Sequence, residues 1–281
     1  MYIKIRYCVE ATPSLLGVLD SSKVRYKLSS IFDSPQAIFY LRSDDIRKSK
    51  IEREITSVAS IIPQLVFSKM ECGSADWVRL MPKYDKISFD ETDLTFSYFC
   101  KGVNRTSSHA HQIGLYRLKR NPKWAHEMMI LSAEGNHNQK WFVNNKTRDF
   151  LKSQRVTGVS FDDVLSSKNE LPLSDVHQVR FDCTIPEEAV ALGKEYGIDS
   201  VITCETCGEH RYYVNPHTYQ LCLYEAFLGD KDAYVTEAVF GQGYGYRIVV
   251  VSKRFYKILK ENDLIKCFSV HPVKVLKSNN D

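Results

Sequence analysis

Shifted by 108 residues, the chain lies over itself in a degenerate match, and a duplicated unit limits the fold more than any other feature here, because whatever one copy forms the other must form. Residues 128–165, MMILSAEGNHNQKWFVNNKTRDFLKSQRVTGVSFDDVL, lie over residues 237–276, EAVFGQGYGYRIVVVSKRFYKILKENDLIKCFSVHPVKVL. Gly135 meets Gly243, Val143 meets Val251, Leu151 meets Leu259 and Lys152 meets Lys260. One extra residue in the second copy then brings Phe161 onto Val270 and Val164 onto Val273. Each copy reads as a strand, a Gly-containing turn, a second strand, a short helix and a returning strand. In the second copy Ser252 is placed to cap the helix, Phe255, Ile258 and Leu259 recur at helical spacing, and Asn262-Asp263 ends it. In the first, Asn144 or Asn145 caps, and Thr147, Phe150 and Leu151 form the inward face. The expected fold class is α+β, with two repeated hairpin–helix–strand units packed with an N-terminal β-rich region.

Outside the repeat, the alternation in MYIKIRYCVEAT suits a first strand, with further strand-like runs at 36–41, 64–68 and 94–100 and a helix around 50–61. PEEAVALGKEYG (186–197) reads as a helix opened by Pro186 and stopped by Gly197, followed by a strand over 198–204. The polar SSKNELPLSD (166–175) suggests a boundary between an N-terminal region, 1–165, and a C-terminal half, 166–281.

Composition narrows the function classes. A formal charge of +4 from 38 basic and 34 acidic residues, with no long run of one sign, gives no indication of a nucleic-acid partner. No segment reaches the length of a membrane span, and the first residues lack a secretory core, so the expected location is cytoplasmic. Eight cysteines form no compact framework in a chain this long and read as mostly reduced and buried. The sequon Asn104-Arg105-Thr106 then carries little weight.

The one motif with chemical content is Cys204-Glu205-Thr206-Cys207-Gly208, which immediately precedes an apparent hairpin over 210–224. Two cysteines separated by two residues, with glycine allowing a tight turn, present both thiolates to one point, as zinc requires. Zinc takes about four ligands, and His210, His217 and Cys222 are the nearby candidates for the remainder, so Zn2+ is the expected cofactor if any is bound. A redox role fits less well, since strand residues and not a helix follow the motif. His109 and His111 read as exposed loop residues, FGQGYGYR (240–247) as a hairpin turn, and Asp44-Asp45 and Asp162-Asp163 as loop and turn carboxylates. No nucleophile elbow, Walker loop or His-Glu-x-x-His helix is present, and the chain is not expected to be an enzyme.

GDKDAYVTEAVFG and YRIVVVSKRFYKILKENDLIKCFSVHPV together resemble the C-terminal segment of bacterial immunity proteins associated with polymorphic toxins. The shared pattern is an Asp-aromatic start, a strand ending in Val-Ser, a helix, and a Leu-centred turn into Phe-x-x-x-Pro-Val. FVNNKTRDFLKSQRVTGVSFDDVL is similar to the same unit, and the knuckle points to the branch carrying two Cys-x-x-Cys-Gly motifs. This chain has one, with Glu71-Cys72-Gly73 as a remnant of the other. The resemblance covers residues 125–275 and implies stoichiometric binding of a cognate protein toxin, without turnover, in the cytoplasm. Tyr212, Tyr213, Tyr244 and Tyr246 are the candidate contact residues, because tyrosines make large contacts at low entropy cost. The alternative is a zinc-ribbon-like nucleic-acid or regulatory binding module, for which Arg211 is the one basic residue close to the knuckle.

Overall fold

The computed structural model describes residues 1–30, 34–82, 96–100, 109–112, 114–132, 140–205, 208–215, 219–241 and 246–277. It separates into one compact unit, Met1–Ser68 with a short later segment, and a second spanning Lys69–Asn215 and Gln220–Asp281. No helix among the described residues is long and apolar enough to cross a membrane.

Alternation organises the first unit. Its elements are β1 (Tyr2–Glu10), α1 (Pro13–Ser21), β2 (Tyr26–Ser29), β3 (Gln36–Arg42), α2 (Lys48–Glu52) and β4 (Val58–Val66). Thr12 caps α1 by accepting from the Leu15 amide at 3.2 Å, and Pro13 occupies the first turn, where its missing N–H costs nothing. Leu15, Leu19 and Ile51 then close over Tyr7, Val9, Phe39 and Leu41 on one face of the sheet, with the Tyr7 and Phe39 rings stacked at 4.8 Å. The strands are antiparallel in the order β2-β3-β1-β4, a βαββαβ arrangement. The helix expected around 50–61 is cut to the five residues of α2. Beyond it, Val58, Ile61 and Ile62 favour extended backbone, and Pro63 is tolerated because β4 is an edge strand.

The second unit continues with α3 (Lys69–Ser74), β5 (Trp77–Pro82), β6 (Phe96–Cys100), β7 (His109–Gln112), β8 (Arg117–Leu118), β9 (Ile130–Ser132), β10 (Trp141–Val143), α4 (Asn145–Ser153), β11 (Val159–Ser166) and β12 (Pro172–Phe181). It ends with β13 (Thr184–Ile185), β14 (Ile198–Thr203), β15 (His210–Val214), β16 (Cys222–Tyr224), β17 (Ala233–Phe240), β18 (Tyr246–Ser252), α5 (Lys253–Glu261), β19 (Phe268–Pro272) and β20 (Lys274–Leu276). One sheet runs β8-β11-β12-β10-β9 and another β14-β15-β17-β18-β5-β19, with β13 paired to β17. β6 with β7, and β16 with β20, form two-stranded ladders.

The duplication is structural. Asn144 and Ser252, 108 residues apart, each cap a helix by accepting from the amide three residues on, and α4 and α5 coincide residue for residue under that shift. Thr147 and Leu151 are buried in one helix, Phe255 and Leu259 at the equivalent places in the other. Both returning strands, β11 and β19, skip one place in their sheet. The gap beside β10 is filled by β12, which follows its copy in the chain; the gap beside β18 is filled by β5, which comes from far upstream. Each inserted strand is antiparallel to both neighbours. The copies abut: Trp141 of the first lies 4.5 Å from Phe268 of the second, ring to ring.

Three local expectations change. The segment 166–175 is a hairpin connection rather than a domain boundary, with Leu165 facing Pro172 and the Ser166 amide donating to Leu171 O at 2.8 Å. The first compact unit ends instead at Ser68. The helix expected over 186–197 is two short 3-10 turns, Glu187–Ala189 and Lys194–Tyr196. Between them Val190 bridges Leu223 and the Ala191 amide donates to Cys222 O at 3.0 Å, so pairing with β16 displaces the helix, while Gly197 still stops the segment at φ +85°. His109 and His111 lie in β7, not in a loop.

Candidate functional site

The knuckle is the turn of a hairpin, not a prelude to one. β14 and β15 pair antiparallel from Ile198↔Val214 to Thr203↔His210, and the Cys204 amide donates to Glu209 O at 2.9 Å. The Gly208 amide closes the turn on Cys204 O at 2.8 Å, with Gly208 at φ +72°, a conformation glycine enters without strain. Cys204 is half-buried at the tip. Cys207 and His217 lie outside the described residues, as do Tyr244 and residues 242–245 of the expected Gly-rich turn, whose flanking strands β17 and β18 pair down to Phe240↔Tyr246.

His210, directly across from Thr203, is held by a residue the sequence did not single out. Its Nδ1 lies 2.8 Å from Glu187 Oε1, and the Tyr212 hydroxyl donates to the same oxygen. Burial raises the Glu187 pKa, but the Tyr212 and His210 hydrogen bonds outweigh it and hold the carboxyl below its ordinary value. Burial first, and then Glu187, push the Tyr212 phenol well above its usual range. A carboxylate on Nδ1 orients the imidazole and leaves Nε2 for a ligand, the arrangement that supports metal-binding histidines.

Cys222 is elsewhere. It sits buried on β16, opposite Lys274 of β20, and its thiol donates to Gln220 O. The hairpin expected over 210–224 does not form, because β15 takes β14 and β17 as its neighbours. Burial raises the Cys222 thiol above its ordinary value, a setting for a packed and not a ligating cysteine. Among the described residues, no group of three His, Cys, Asp or Glu side chains is placed to hold a metal.

The tyrosines divide. Tyr212, at 4% exposed, packs 5.9 Å from Phe240 and is core, not an exposed anchor. Tyr213 and Tyr246 are half-buried. Arg211 is 6% exposed with Glu209 at 3.5 Å, so it presents no basic surface beside the knuckle. What the hairpin does present is its outer strand. β14 is the edge of its sheet; every residue after Ile198 is exposed, with Val201 at 49% and Ile202 at 52%.

The acidic pairs are engaged. Asp44 takes a two-pronged contact from Arg42, and Asp45 from Arg47, which lowers the Asp45 carboxyl to about 2. Asp162 and Asp163 lie on β11, not in a turn, at 3.4 Å from Arg180 and 3.5 Å from His177. No family model matches the chain, and no curated protein or solved structure matches it.

Proposed function

We propose that this chain is an immunity protein, which binds and neutralises a protein toxin encoded beside it by stoichiometric complex formation in the cytoplasm, without turnover. The observation that carries the reading is the β14 edge, which pairs with no strand on its outer side among the described residues and runs into the Cys204 turn. An edge strand offers unpaired backbone donors and acceptors, and proteins usually blunt it with lysine, proline or a covering element. Asp199 and the register shift at Ile198/Ser200 blunt only the first end of β14; beyond them Val201 and Ile202 face opposite sides of the strand and are both exposed, with no charge or proline from Ser200 to Thr203. Such an edge suits addition of a partner's strand, in which main-chain hydrogen bonds supply affinity and alternate side chains supply selectivity. The resemblance supports the same class, since its motif residues from Asp232 to Val273 belong to one folded unit.

Co-expression with the neighbouring toxin tests this. Cells should survive with the wild-type chain, and the two proteins should co-purify. Val201→Lys with Ile202→Lys should abolish rescue while leaving the melting temperature within a few degrees, because both side chains are exposed. Equal killing with and without the chain ends the immunity reading; rescue by the double variant ends only the assignment of the edge.

Zinc belongs to the same proposal. Cys204, Cys207 and His210 would supply three tetrahedral ligands, with Glu187 fixing the imidazole. Protein purified without added metal should carry close to one equivalent of zinc per chain, and a chelator should lower its melting temperature. Glu187→Gln should weaken zinc affinity about 10- to 100-fold. Less than about a tenth of an equivalent, with melting unchanged by chelator, would mean that the cysteines only shape the turn. The nucleic-acid alternative at the knuckle draws no support from Arg211, which is buried.

A further inference from the structure

The first unit has a second sheet face that its own core does not use. Side chains alternate across a strand, so with Tyr7, Val9, Phe39 and Leu41 packed under the helices, the opposite face carries Tyr2, Lys4 and Arg6 from β1, Tyr40 and Arg42 from β3, and Lys27 from β2. Register places Arg6 directly across from Tyr40 and Lys4 directly across from Arg42. Two cations facing each other on neighbouring strands repel. Here each rests on a ring instead: the Lys4 ammonium lies 4.3 Å from the Tyr40 centroid, and the Arg42 guanidinium 4.6 Å from that of Tyr2. Tyr40 is 43% exposed, and Lys27 and Arg42 are exposed. Among the described residues the carboxylates near this array are Asp44, which holds Arg42, Asp45, which holds Arg47 and also acts on Arg42, and Glu10, at the far end of β1 opposite Gln36.

We infer that this face binds single-stranded nucleic acid, with bases stacked on Tyr40 and Tyr2 and phosphates met by Lys4, Arg6, Lys27 and Arg42. Rings and cations alternate across the two central strands as bases and phosphates alternate along a single strand. An acidic peptide would need the cations but has no flat faces to match the rings, whereas every base has one. Lysine and arginine on long stems move from ring to phosphate without disturbing the sheet. The near-neutral whole chain concealed the array, because sequence charge is summed over both faces and both units. This surface lies in a different unit from the knuckle, and the inference does not rest on the proposed toxin binding.

Fluorescence anisotropy of labelled oligo-dT and oligo-rU against the full chain at low salt is the test. Binding should be in the micromolar range and weaken with salt, each neutralised phosphate adding about −0.7 to the log–log slope. Tyr40→Ala should weaken it roughly ten- to a hundredfold and Tyr40→Phe should leave it, since stacking needs the ring and not the hydroxyl. Lys4→Met should flatten the salt slope by about 0.7. Circular dichroism melts show whether each variant is folded before it is scored. No anisotropy change at about 10⁻⁴ M protein overturns the inference. So does binding unaffected by Tyr40→Ala, or displacement by poly-glutamate at equal charge, which would make the face a site for acidic proteins.

Discussion

Gly158→Ala should cost about 4 kcal/mol, enough to leave much of the chain insoluble in a marginally stable protein. Gly158 sits at φ +80° in the turn between α4 and β11, where an L side chain alone costs about 1–2 kcal/mol. A Cβ there would also lie 2.3 Å from the carbonyl oxygen of Ala233, with Ala233 C at 3.2 Å and N at 3.3 Å. The obstacle is the backbone at the start of β17, the strand that leads into the second copy of the repeat, and not the free end of a side chain. Relief therefore requires the two copies to separate, at about 1–3 kcal/mol or more for an overpacked site. Two other glycines calibrate the result. Gly208→Ala meets φ +72° but open space and should cost only about 1–2 kcal/mol. Gly17→Ala, inside α1 with nothing within 4 Å, should stabilise by about 0.5–1 kcal/mol. Urea midpoints at constant slope measure all three. A Gly158→Ala loss no larger than that of Gly208→Ala would mean the copies are not in close contact there.

What the sequence made legible was local. The caps Asn144 and Ser252 and the stop at Asn262 each rest on a few neighbouring residues and appear where expected; of the inward faces, Thr147, Leu151, Phe255 and Leu259 are buried, Phe150 and Ile258 only half so, and Tyr256 is buried without having been expected. The repeat was readable because the same local signals occur twice. Which strand fills the gap in each copy was not, since β5 reaches β18 across some 170 residues and contributes nothing to a self-comparison. The lost helix at 186–197 has the same cause: its propensity is outweighed by a bridge from Val190 to Leu223 that only the fold supplies.

The candidate site was half legible for a related reason. Cys204 announces a turn by its spacing from Cys207 and Gly208, but Glu187 reaches His210 only because a 3-10 turn replaces the expected helix. Tyr212 looked outward because hairpin tyrosines can alternate. Its neighbour Arg211 is buried as well, so no two-residue period marks which face is inside. The exposed edge of β14 is a property of what fails to pair with it, which no local pattern encodes.

Asp232→Ala should cost about 3–4 kcal/mol, although its sequence context shows only an acidic start to the repeat segment and not the network it holds. The side chain is 6% exposed and is shared by both copies. One carboxylate oxygen accepts from the Thr157 amide at 2.9 Å, the Thr157 hydroxyl at 3.1 Å and Arg254 Nη1 at 2.5 Å; the other accepts from the Ser252 hydroxyl at 2.9 Å. The Asp232 amide returns a bond to Thr157 Oγ1 at 3.0 Å, and its carbonyl accepts from the Ser252 amide at 2.8 Å. Removing the carboxylate takes the acceptor from the exposed Thr157 and loosens Ser252, the cap of α5; the buried member is Asp232 itself, and hydrogen bonds to a charged group contribute about 1.5–3 kcal/mol each. Arg254 adds little, because its side chain is 52% exposed and water screens the pair. Arg254→Ala alone should therefore lose no more than about 1 kcal/mol. Asp232→Asn, which keeps one acceptor for Ser252, should fall between the two. A double-mutant cycle between Asp232→Ala and Thr157→Val should be non-additive by about 0.5–3 kcal/mol, since both act through one network. If Asp232→Ala and Arg254→Ala cost the same, the network is only a surface ion pair. Asp232 opens the segment on which the proposed immunity reading rests, so a folded Asp232→Ala chain that still rescues cells in the co-expression test would place that segment in the architecture of the repeat, leaving recognition to the β14 edge.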